Sequence, residues 1–223
     1  QKTKSGFSTK GEAQEFLNNI TNIIKENRHV SKTKLTVAQV LNEWYSVKIE
    51  SVCRKNTKLW YDNYIRIHIV PSIGAMPVQS LTPKIIQDFY NSKAETMAAT
   101  SVAHIHRTLK MGLDYAVNIL RCIPANPTRS PGITLRKSTE YKYNVLDQKT
   151  IIQLVLAYRD DCRGLILALA GLMGLRRGEI RGLKWEDIDF KNKTLHLSAQ
   201  LHQSSDFLRE REPLKTPKSI RTL

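Results

Sequence analysis

At 223 residues, the chain is longer than a typical domain of about 150 residues, so two domains are expected rather than one. Hydrophobic residues make up 41% and charged residues 25% of the chain, which argues against a chain that is disordered along its whole length. The formal net charge of +15 favours a nucleic-acid partner, because basic side chains that neutralise phosphates release condensed counterions. An anionic membrane surface or general solubility is the alternative explanation of this charge.

The cysteines and the apolar runs exclude further classes of protein. Cys53, Cys122 and Cys162 are widely spaced and form no Cys-x-x-Cys pair, so neither a disulfide framework nor a zinc site is indicated, and a reducing, cytoplasmic compartment is expected. The apolar run before Arg176 is shorter than the roughly 18 residues of a membrane span. No signal-like apolar segment follows Gln1. Gln1 is not an initiator methionine, which suggests a processed, trimmed or engineered start.

Capping residues indicate the first two helices. Thr9 and Glu12 form a capping-box pattern ahead of apolar residues at helical spacing. The polar, basic stretch 27–34 is predicted to be an exposed linker. Thr36 opens a second helix, with Gln39 completing a capping box. The buried stripe predicted for this helix consists of Val37, Leu41, Trp44 and Val47.

Three more helices are predicted before residue 123. The third begins near Asn56 and stops before Pro71, since proline does not continue a helix. The fourth starts at Thr82, which precedes a proline, and the longer fifth starts at about Thr100. Residues 35–125 are therefore expected to form an all-helical domain.

A second domain is predicted after a proline-rich boundary. The stretch IPANPTRSPG opens an interdomain linker over 126–143. Asp147 can cap the next helix, and the apolar run 165–175 forms another. Residues 193–200 alternate like a strand, and residues 214–223 are expected to return beside it. The predicted fold class is mainly α, with the all-helical domain followed by an α+β domain that carries a small antiparallel sheet.

The end of the apolar run is the first candidate for chemistry. The guanidinium of Arg176 is always charged, and its planar fork of donors matches two phosphate oxygens, so it can clamp a phosphodiester. Gly178 permits a close approach of the backbone, and Glu179 can orient Arg176 from the same helical face. The alternative is that Arg176 and Arg177 only finish a helix, since cations favour a helix C-terminus.

The run GLRRGEIRGLKWEDIDF, 174–190, closely resembles the first catalytic-arginine motif of the tyrosine recombinases, the family of phage and conjugative-transposon integrases. The resemblance implies that Arg176, rather than Arg177, is the catalytic arginine and that Glu179 is the acidic residue supporting it. The residues that fit the following segment of the motif are Trp185, Asp187 and Asp189. A helix end and a turn are equally compatible with those three residues.

The run LKTPKSIRTL, 214–223, resembles the β-hairpin that carries the catalytic lysine of the same family. That role falls to Lys215, with Lys218 as the alternative because hairpin lengths vary among relatives. A lysine suits the role, since its ammonium can protonate a 5′-oxygen leaving group if its pKa is lowered. The domain 144–223 is thereby expected to be the first part of a catalytic domain, truncated at Leu223.

The helical domain is similar to the core-binding domain of the family, which clamps DNA opposite the catalytic domain. The candidate DNA contacts on it lie at one helix start and along the polar side of the fifth helix, at Lys55, Thr57, Lys58, Ser101, His104, Arg107 and Lys110. A solvated helix face is the alternative for each of them. Residues 1–34 resemble the closing helix and linker of an arm-binding region.

The family's later motifs are missing from this sequence. No His-x-x-Arg follows Lys215, the spacing from His104 to Arg107 falls in the wrong domain, and the last tyrosine is Tyr158. The chain is therefore expected to be a fragment that binds DNA but does not cleave it alone.

For the parent, the resemblance implies strand exchange through a 3′-phosphotyrosyl intermediate without metal or nucleotide cofactor, by a homotetramer on double-stranded DNA of a mobile element. It implies no membrane partner. The alternative function is a non-catalytic DNA-binding regulator or accessory protein.

Overall fold

The computed structural model describes residues 6–25, 33–137, 143–203 and 209–223. The chain divides into two compact units, which we call unit 1, residues 1–140, and unit 2, residues 141–223. The linker predicted at 27–34 lies outside the described residues except for its last two positions. The roles of the predicted domains stay a prediction, because compactness alone assigns no function to either unit.

Unit 1 opens with helix α1, Lys10–Lys25. The hydroxyl oxygen of Thr9 accepts a hydrogen bond from the N–H of Glu12 at 3.2 Å. The Glu12 carboxylate in turn accepts from the N–H of Ser8 at 3.0 Å, one residue earlier than a regular capping box. The predicted start of the first helix is confirmed.

Helix α2 spans Val37–Trp44 and begins with the predicted capping box between Thr36 and Gln39. The helical path continues in a wider π turn at Tyr45–Glu50. Val47 lies in this π turn and is 49% exposed. Its predicted place in the buried stripe is wrong, because the π turn departs from the 3.6-residue period on which the stripe was based.

Helix α3, Lys55–Asn63, continues through a π turn at Tyr64–Ile69 into the short helix α4, Val70–Ile73. The prediction that Pro71 ends the third helix is therefore wrong. Pro71 lies in the first turn of α4, where a missing N–H costs least, and the wide π turn before it leaves room for its ring.

Two longer helices complete unit 1. Helix α5 spans Pro83–Thr96 behind its N-cap Thr82, and helix α6 spans Ala99–Asn118. α6 approaches α2 closely at Gly112, where a side chain would meet Leu41. The core is formed by buried apolar residues of α2 to α6, among them Val37, Leu41, Trp44, Ile65, Ile69, Ile86, Phe89, Ile105, Leu109 and Leu113.

The first part of the predicted linker is anchored to α6. The side-chain amide of Asn126 donates to the Lys110 carbonyl at 2.9 Å and to Asp114 Oδ1 at 2.7 Å. Arg129 donates to both carboxylate oxygens of Asp114, at 2.8 and 2.7 Å. The prolines do produce an irregular path here, but side-chain hydrogen bonds to α6 hold that path in place.

Unit 2 begins with helix α7, Gln148–Ala157, whose N-cap Asp147 accepts from the N–H of Thr150 at 2.8 Å. Helix α8 spans Cys162–Leu167. It continues as a π turn at Ala168–Leu172, so the helix ends three residues before the predicted Leu175. Helix α9 spans Arg177–Gly182.

The described residues after α9 form five short strands, which are β1 Ile188–Asp189, β2 Thr194–Leu197, β3 Ala199–Gln203, β4 Arg209–Pro213 and β5 Arg221–Thr222. β1, β2 and β5 form an antiparallel sheet in that order, and β3 pairs with β4. The predicted strand 193–200 is thus two strands. The predicted return 214–223 contributes only β5, which places Arg221 opposite Leu197.

The small core of unit 2 lies between α9 and the sheet. Its buried residues are Leu175, Leu195, Leu197 and Leu214. A mainly helical unit followed by helices and antiparallel strands confirms the predicted fold class. Within the described residues, no helix is both long and apolar enough to cross a membrane.

Candidate functional site

Arg176 lies at the start of a helix rather than at the end of one. The chain turns after Leu172, with Gly174 at φ +68°, and Arg176 is the N-cap of α9. A cation at this position is not favoured by the helix dipole. The explanation of Arg176 as a C-terminal helix charge is therefore wrong, and its side chain, 73% exposed, needs another reason for its position.

That reason is Glu179, in the first turn of α9. One carboxylate oxygen accepts from the Arg176 backbone N–H at 2.9 Å, and the other accepts from Arg176 Nη1 at 3.0 Å. The Glu179 side chain is only 1% exposed. A buried carboxylate with two bonds to the same residue restricts both the backbone and the guanidinium of Arg176.

Arg221 on β5 forms the second pair with the same carboxylate. Its Nη1 lies 3.2 Å from Glu179 Oε1, and its Nη2 lies 3.0 Å from Oε2. Nη1 also donates to the Ser219 carbonyl at 3.2 Å. Arg221 was not among the predicted site residues, because no local signal connects it to a residue 42 positions away.

These contacts set the charge state of Glu179. The hydrogen bonds from Arg221 lower the pKa of Glu179 to about 2, aided by Arg176 and opposed by burial. The cluster of Arg176, Glu179 and Arg221 therefore holds two positive charges and one negative charge. We call these three residues the arginine cluster.

The candidate lysines lie on the segment that leads to Arg221. Lys215 follows the buried Leu214, whose N–H donates to the Ser198 carbonyl at 3.2 Å. Lys218 lies in a 3-10 turn at Pro217–Ser219. Both lysines are exposed. The segment is thus anchored by the core at one end and by the arginine cluster at the other.

The approach of α9 to β3 depends on Gly182 rather than Gly178. A Cβ atom on Gly182 would lie 2.8 Å from the N of Leu201 and 2.9 Å from the backbone of Gln200. A Cβ atom on Gly178 would be 3.5 Å from its nearest neighbour, an ordinary contact. Of these two glycines, Gly182 is therefore the one at which the contact between α9 and β3 leaves no room for a side chain.

The remaining motif residues have structural contacts. Asp187 is 8% exposed and accepts from Arg211 Nη2 at 2.8 and 2.7 Å. Burial opposes ionisation, but hydrogen bonds from the Lys184 N–H and from Arg211 lower the pKa of Asp187. Asp189 accepts from the N–H groups of Lys191 and Asn192 and so closes a turn.

An apolar groove occupies another face of unit 2. Its volume is about 740 Å³, and neither Arg176 nor Lys215 lines it. Trp185 and Phe190 form part of its wall, with stacked rings 6.4 Å apart and exposures of 78% and 72%. The charged residues that line the groove are basic, at Arg181, Lys184 and Lys193.

One of the candidate DNA contacts, His104 on α6, lies against aromatic rings of the helix that carries the other set. The Trp60 ring on α3 lies 5.0 Å from the His104 ring on α6 and 4.6 Å from the Tyr64 ring. His68 extends this aromatic group through its contact with Tyr64. Burial, and to a smaller extent the positive charge of Lys93, lowers the pKa of His68.

The side chains of those sets differ in exposure. The exposed ones are Lys55, Thr57, His104 and Arg107, and the partly buried ones are Lys58, Ser101 and Lys110. We call the start of α3 and the polar face of α6 that hold these seven residues the α3–α6 surface. Within the described residues, no group of three or more His, Cys, Asp or Glu residues could hold a metal ion.

Comparison with known proteins agrees with the resemblance seen in the sequence. Residues 36–94 match the family described as "Phage integrase, N-terminal SAM-like domain". A tyrosine recombinase XerC-like protein of Caldanaerobacter subterraneus subsp. tengcongensis is 24% identical over 201 residues, covering 87% of this chain and 51% of that protein. The predicted resemblance to the tyrosine recombinases is confirmed.

Solved integrases share the fold. The Tn1549 transposon integrase in complex with a circular intermediate DNA superposes with a TM-score of 0.71 at 21% identity, covering 84% of this chain and 60% of that one. A lambda integrase tetramer bound to a Holliday junction gives a TM-score of 0.62 at 21% identity, covering 94% and 56%. The chain spans 39% to 55% of the length of the curated relatives that it matches.

Proposed function

We propose that the whole protein is a site-specific DNA recombinase that integrates or excises a mobile element. The observation that carries this proposal is the exposed guanidinium of Arg176, fixed by the buried carboxylate of Glu179. A fixed, exposed guanidinium suits a phosphodiester, because its donors match two phosphate oxygens. Similarity to a tyrosine recombinase supports the proposal, as does the fold shared with solved integrases bound to DNA.

The proposed reaction proceeds through a covalent intermediate. A tyrosine of the whole protein attacks the scissile phosphate, forming a 3′-phosphotyrosyl bond and breaking the bond to the 5′-oxygen. Lys215 donates the proton that this oxygen takes up. The hydroxyl of the partner strand then attacks the phosphotyrosine, reseals the DNA and frees the tyrosine. Because the covalent bond conserves the energy of the broken one, the reaction needs no high-energy cofactor.

The arginine cluster stabilises the transition state. Negative charge grows on the non-bridging phosphate oxygens as the tyrosine attacks, and Arg176 is the cation that meets this charge. Glu179 holds Arg176 in place before the substrate arrives, so that little reorganisation is needed during the reaction. No tyrosine of residues 1–223 follows Arg176, and we propose that this chain by itself binds DNA without cleaving it.

Double-stranded DNA binds the α3–α6 surface in this proposal. In it, the exposed cations Lys55 and Arg107 contact phosphates, and the partly buried Lys58 and Lys110 add positive charge to the same helices. The net charge of +15 supports binding to a polyanion. We further propose a homotetramer on DNA, as in the lambda integrase complex, acting in the cytoplasm.

The test uses the whole protein, expressed from its complete gene, and a nicked DNA duplex that carries the element end. Covalent protein–DNA adducts are scored on a denaturing gel. We expect wild type to form an adduct, and we expect Arg176→Ala to lower the amount of adduct by about 100-fold or more. Lys215→Ala is expected to lose it too, with rescue by a substrate whose 5′-leaving group needs no protonation.

Neighbouring residues of the same charge provide matched controls. Arg177→Ala and Lys218→Ala remove the adjacent arginine and the nearby lysine, and both are expected to keep the adduct. If Lys218→Ala loses the adduct while Lys215→Ala keeps it, the lysine role moves to Lys218. Tight DNA binding by wild type without any adduct would reject the recombinase and favour a DNA-binding regulator or accessory protein.

A further inference from the structure

The arginine cluster contains one more arginine than an ion pair needs. Glu179 is 1% exposed, Arg221 is 29% exposed and Arg176 is 73% exposed. The better buried arginine makes two contacts with the carboxylate, at 3.2 and 3.0 Å, whereas the exposed one makes a single side-chain contact at 3.0 Å. The charge left after pairing therefore lies at the exposed end of the cluster, on Arg176.

We propose that Arg221 is a positioning residue of the cleavage site, which offsets the charge of Glu179 so that Glu179 can hold Arg176 without neutralising it. This inference rests on the proposed function. Arg221 does not contact the phosphate in this arrangement. It acts through Glu179, and its effect appears at the guanidinium of Arg176.

The physical reason is the charge seen by an incoming phosphate. Arg176 and Glu179 alone would form a neutral pair, and a neutral pair attracts an anion weakly because attraction by the cation is opposed by repulsion from the carboxylate. With Arg221 in place, the cluster carries a net charge of +1, and the carboxylate still supplies the hydrogen bonds that orient Arg176. Orientation and positive charge are thus obtained together.

The same contact also positions the segment that bears the candidate lysines. Leu214 is buried in the core of unit 2, and Arg221 ends the segment on Glu179. Lys215 and Lys218 lie between these two anchors. Loss of the Arg221 contact would therefore release one end of that segment as well as expose the charge of Glu179.

A second ion pair of unit 2 provides the matched control. Arg211 donates to both oxygens of Asp187, at 2.8 and 2.7 Å, and the two side chains are 26% and 8% exposed. This pair resembles the pair of Arg221 and Glu179 in burial and geometry, but its carboxylate holds no residue that the resemblance makes catalytic. Arg211→Gln and Arg221→Gln therefore separate a loss of stability from a loss of positioning.

The experiment measures adduct formation by the whole protein on the nicked duplex at saturating DNA. We expect Arg221→Gln to lower the rate by about 10- to 100-fold, the cost of misplacing a catalytic group, with DNA affinity changed less than about two-fold. Arg221→Lys keeps the charge and one donor, so it should recover part of the rate. Arg211→Gln should lower the melting temperature and leave the rate per folded molecule unchanged.

A second measurement separates failure of this inference from failure of the proposed function. Chain 1–223, with its arginine side chains labelled with 15N, is titrated with inorganic phosphate, and the Arg176 signal is followed by NMR. We expect phosphate to shift the signal in wild type and in Arg211→Gln, and at least about five-fold less in Arg221→Gln. Glu179, followed by 13C NMR, should titrate at higher pH in Arg221→Gln than in wild type.

The outcomes are distinct. No adduct from wild type rejects the proposed function, and the phosphate titration then decides the charge role of Arg221 by itself. An Arg221→Gln protein that is folded and reacts at the wild-type rate overturns the inference. So does an Arg211→Gln protein that loses as much rate as Arg221→Gln, since the effect would then be general destabilisation of unit 2.

Discussion

Arg221 Nη2 lies 3.0 Å from Glu179 Oε2, although 42 positions separate the two residues in the chain. The contact joins β5 to α9 and completes the hydrogen bonding of a carboxylate that is 1% exposed. A buried carboxylate is costly unless it is paired, so both elements depend on each other for their stability. The consequences can be measured without any DNA substrate.

Stability should depend on the ionisation of Glu179. The pKa of Glu179 falls from an ordinary 4.5 to about 2, so its ionised form is favoured by folding. A lowered pKa contributes stability above the ordinary value, and that contribution is lost as pH falls from about 4.5 towards 2. We expect Glu179→Gln to flatten this part of the stability curve and to destabilise unit 2 by about 3 kcal/mol at neutral pH, measured by urea unfolding.

Glu186→Gln is the control for this prediction. Glu186 pairs with Lys184 at 3.1 Å and with Arg211 at 3.2 Å, but its side chain is 65% exposed. An exposed pair contributes about 1 kcal/mol or less, so the acid limb of the curve should keep its shape. If the two substitutions changed the free energy of unfolding equally, the buried arginine cluster would contribute no more to stability than an exposed ion pair does.

Gly182 should not tolerate a side chain, whereas Gly178 should. A Cβ atom on Gly182 would meet backbone atoms of β3 at 2.8 and 2.9 Å, and backbone cannot rotate away. We expect Gly182→Ala to destabilise unit 2 by about 1 to 3 kcal/mol, as overpacking does. Gly178→Ala, in the same helix, should be neutral or stabilising by up to about 1 kcal/mol. A thermal unfolding experiment in which both variants behave alike would contradict the close α9–β3 contact.

The α3–α6 surface makes a quantitative prediction about salt. Arg107 is exposed on α6, near the ring contact between His104 and Trp60. If its guanidinium meets a phosphate, Arg107→Ala should weaken DNA binding and reduce the slope of log affinity against log salt by about 1. Fluorescence anisotropy with a labelled duplex at several salt concentrations measures this. Lys84→Ala, an equal charge change in the first turn of α5, should leave the slope unchanged if the surface is correctly placed.

The apolar groove of unit 2 should make chain 1–223 associate or bind hydrophobic dyes. Trp185 and Phe190 are stacked at 78% and 72% exposure, and large exposed apolar patches favour association. We expect Trp185→Ser with Phe190→Ser to reduce dye fluorescence and apparent mass in size-exclusion chromatography. Val52→Ser removes another exposed apolar side chain, 79% exposed in unit 1, and serves as the control. A wild-type chain that elutes as a stable monomer and binds no dye would contradict the prediction.

Helix starts were predictable because their signals are local. Thr36 and Asp147 accept from N–H groups three residues on, so the interacting atoms are placed by the helix itself. The same holds for Arg176 and Glu179, which the resemblance assigned to one site and which contact each other directly. Their roles in catalysis stay a prediction, as do those of Lys215 and the seven proposed DNA contacts.

The errors occurred where the helical period changes or where a turn intervenes. Val47 lies in a π turn, and no residue type in the sequence predicts such a turn. Pro71 was predicted to end a helix, but the path bends through it. The apolar run predicted to be helical to Leu175 ends three residues earlier, which placed Arg176 before a helix instead of after one.

By itself, the sequence determined the mainly helical fold class, the capped helix starts at Thr36, Thr82 and Asp147, and the pairing of Arg176 with Glu179. Each depends on residues within one turn of helix or on a pattern along one element. Only the tertiary structure decided that Arg221 completes the arginine cluster and that Gly182, not Gly178, must lack a side chain. Both facts arise where β3 and β5 reach α9. Contacts of that kind depend on how the chain returns on itself, and the spacing of residues along the sequence carries no record of the distance between them in space.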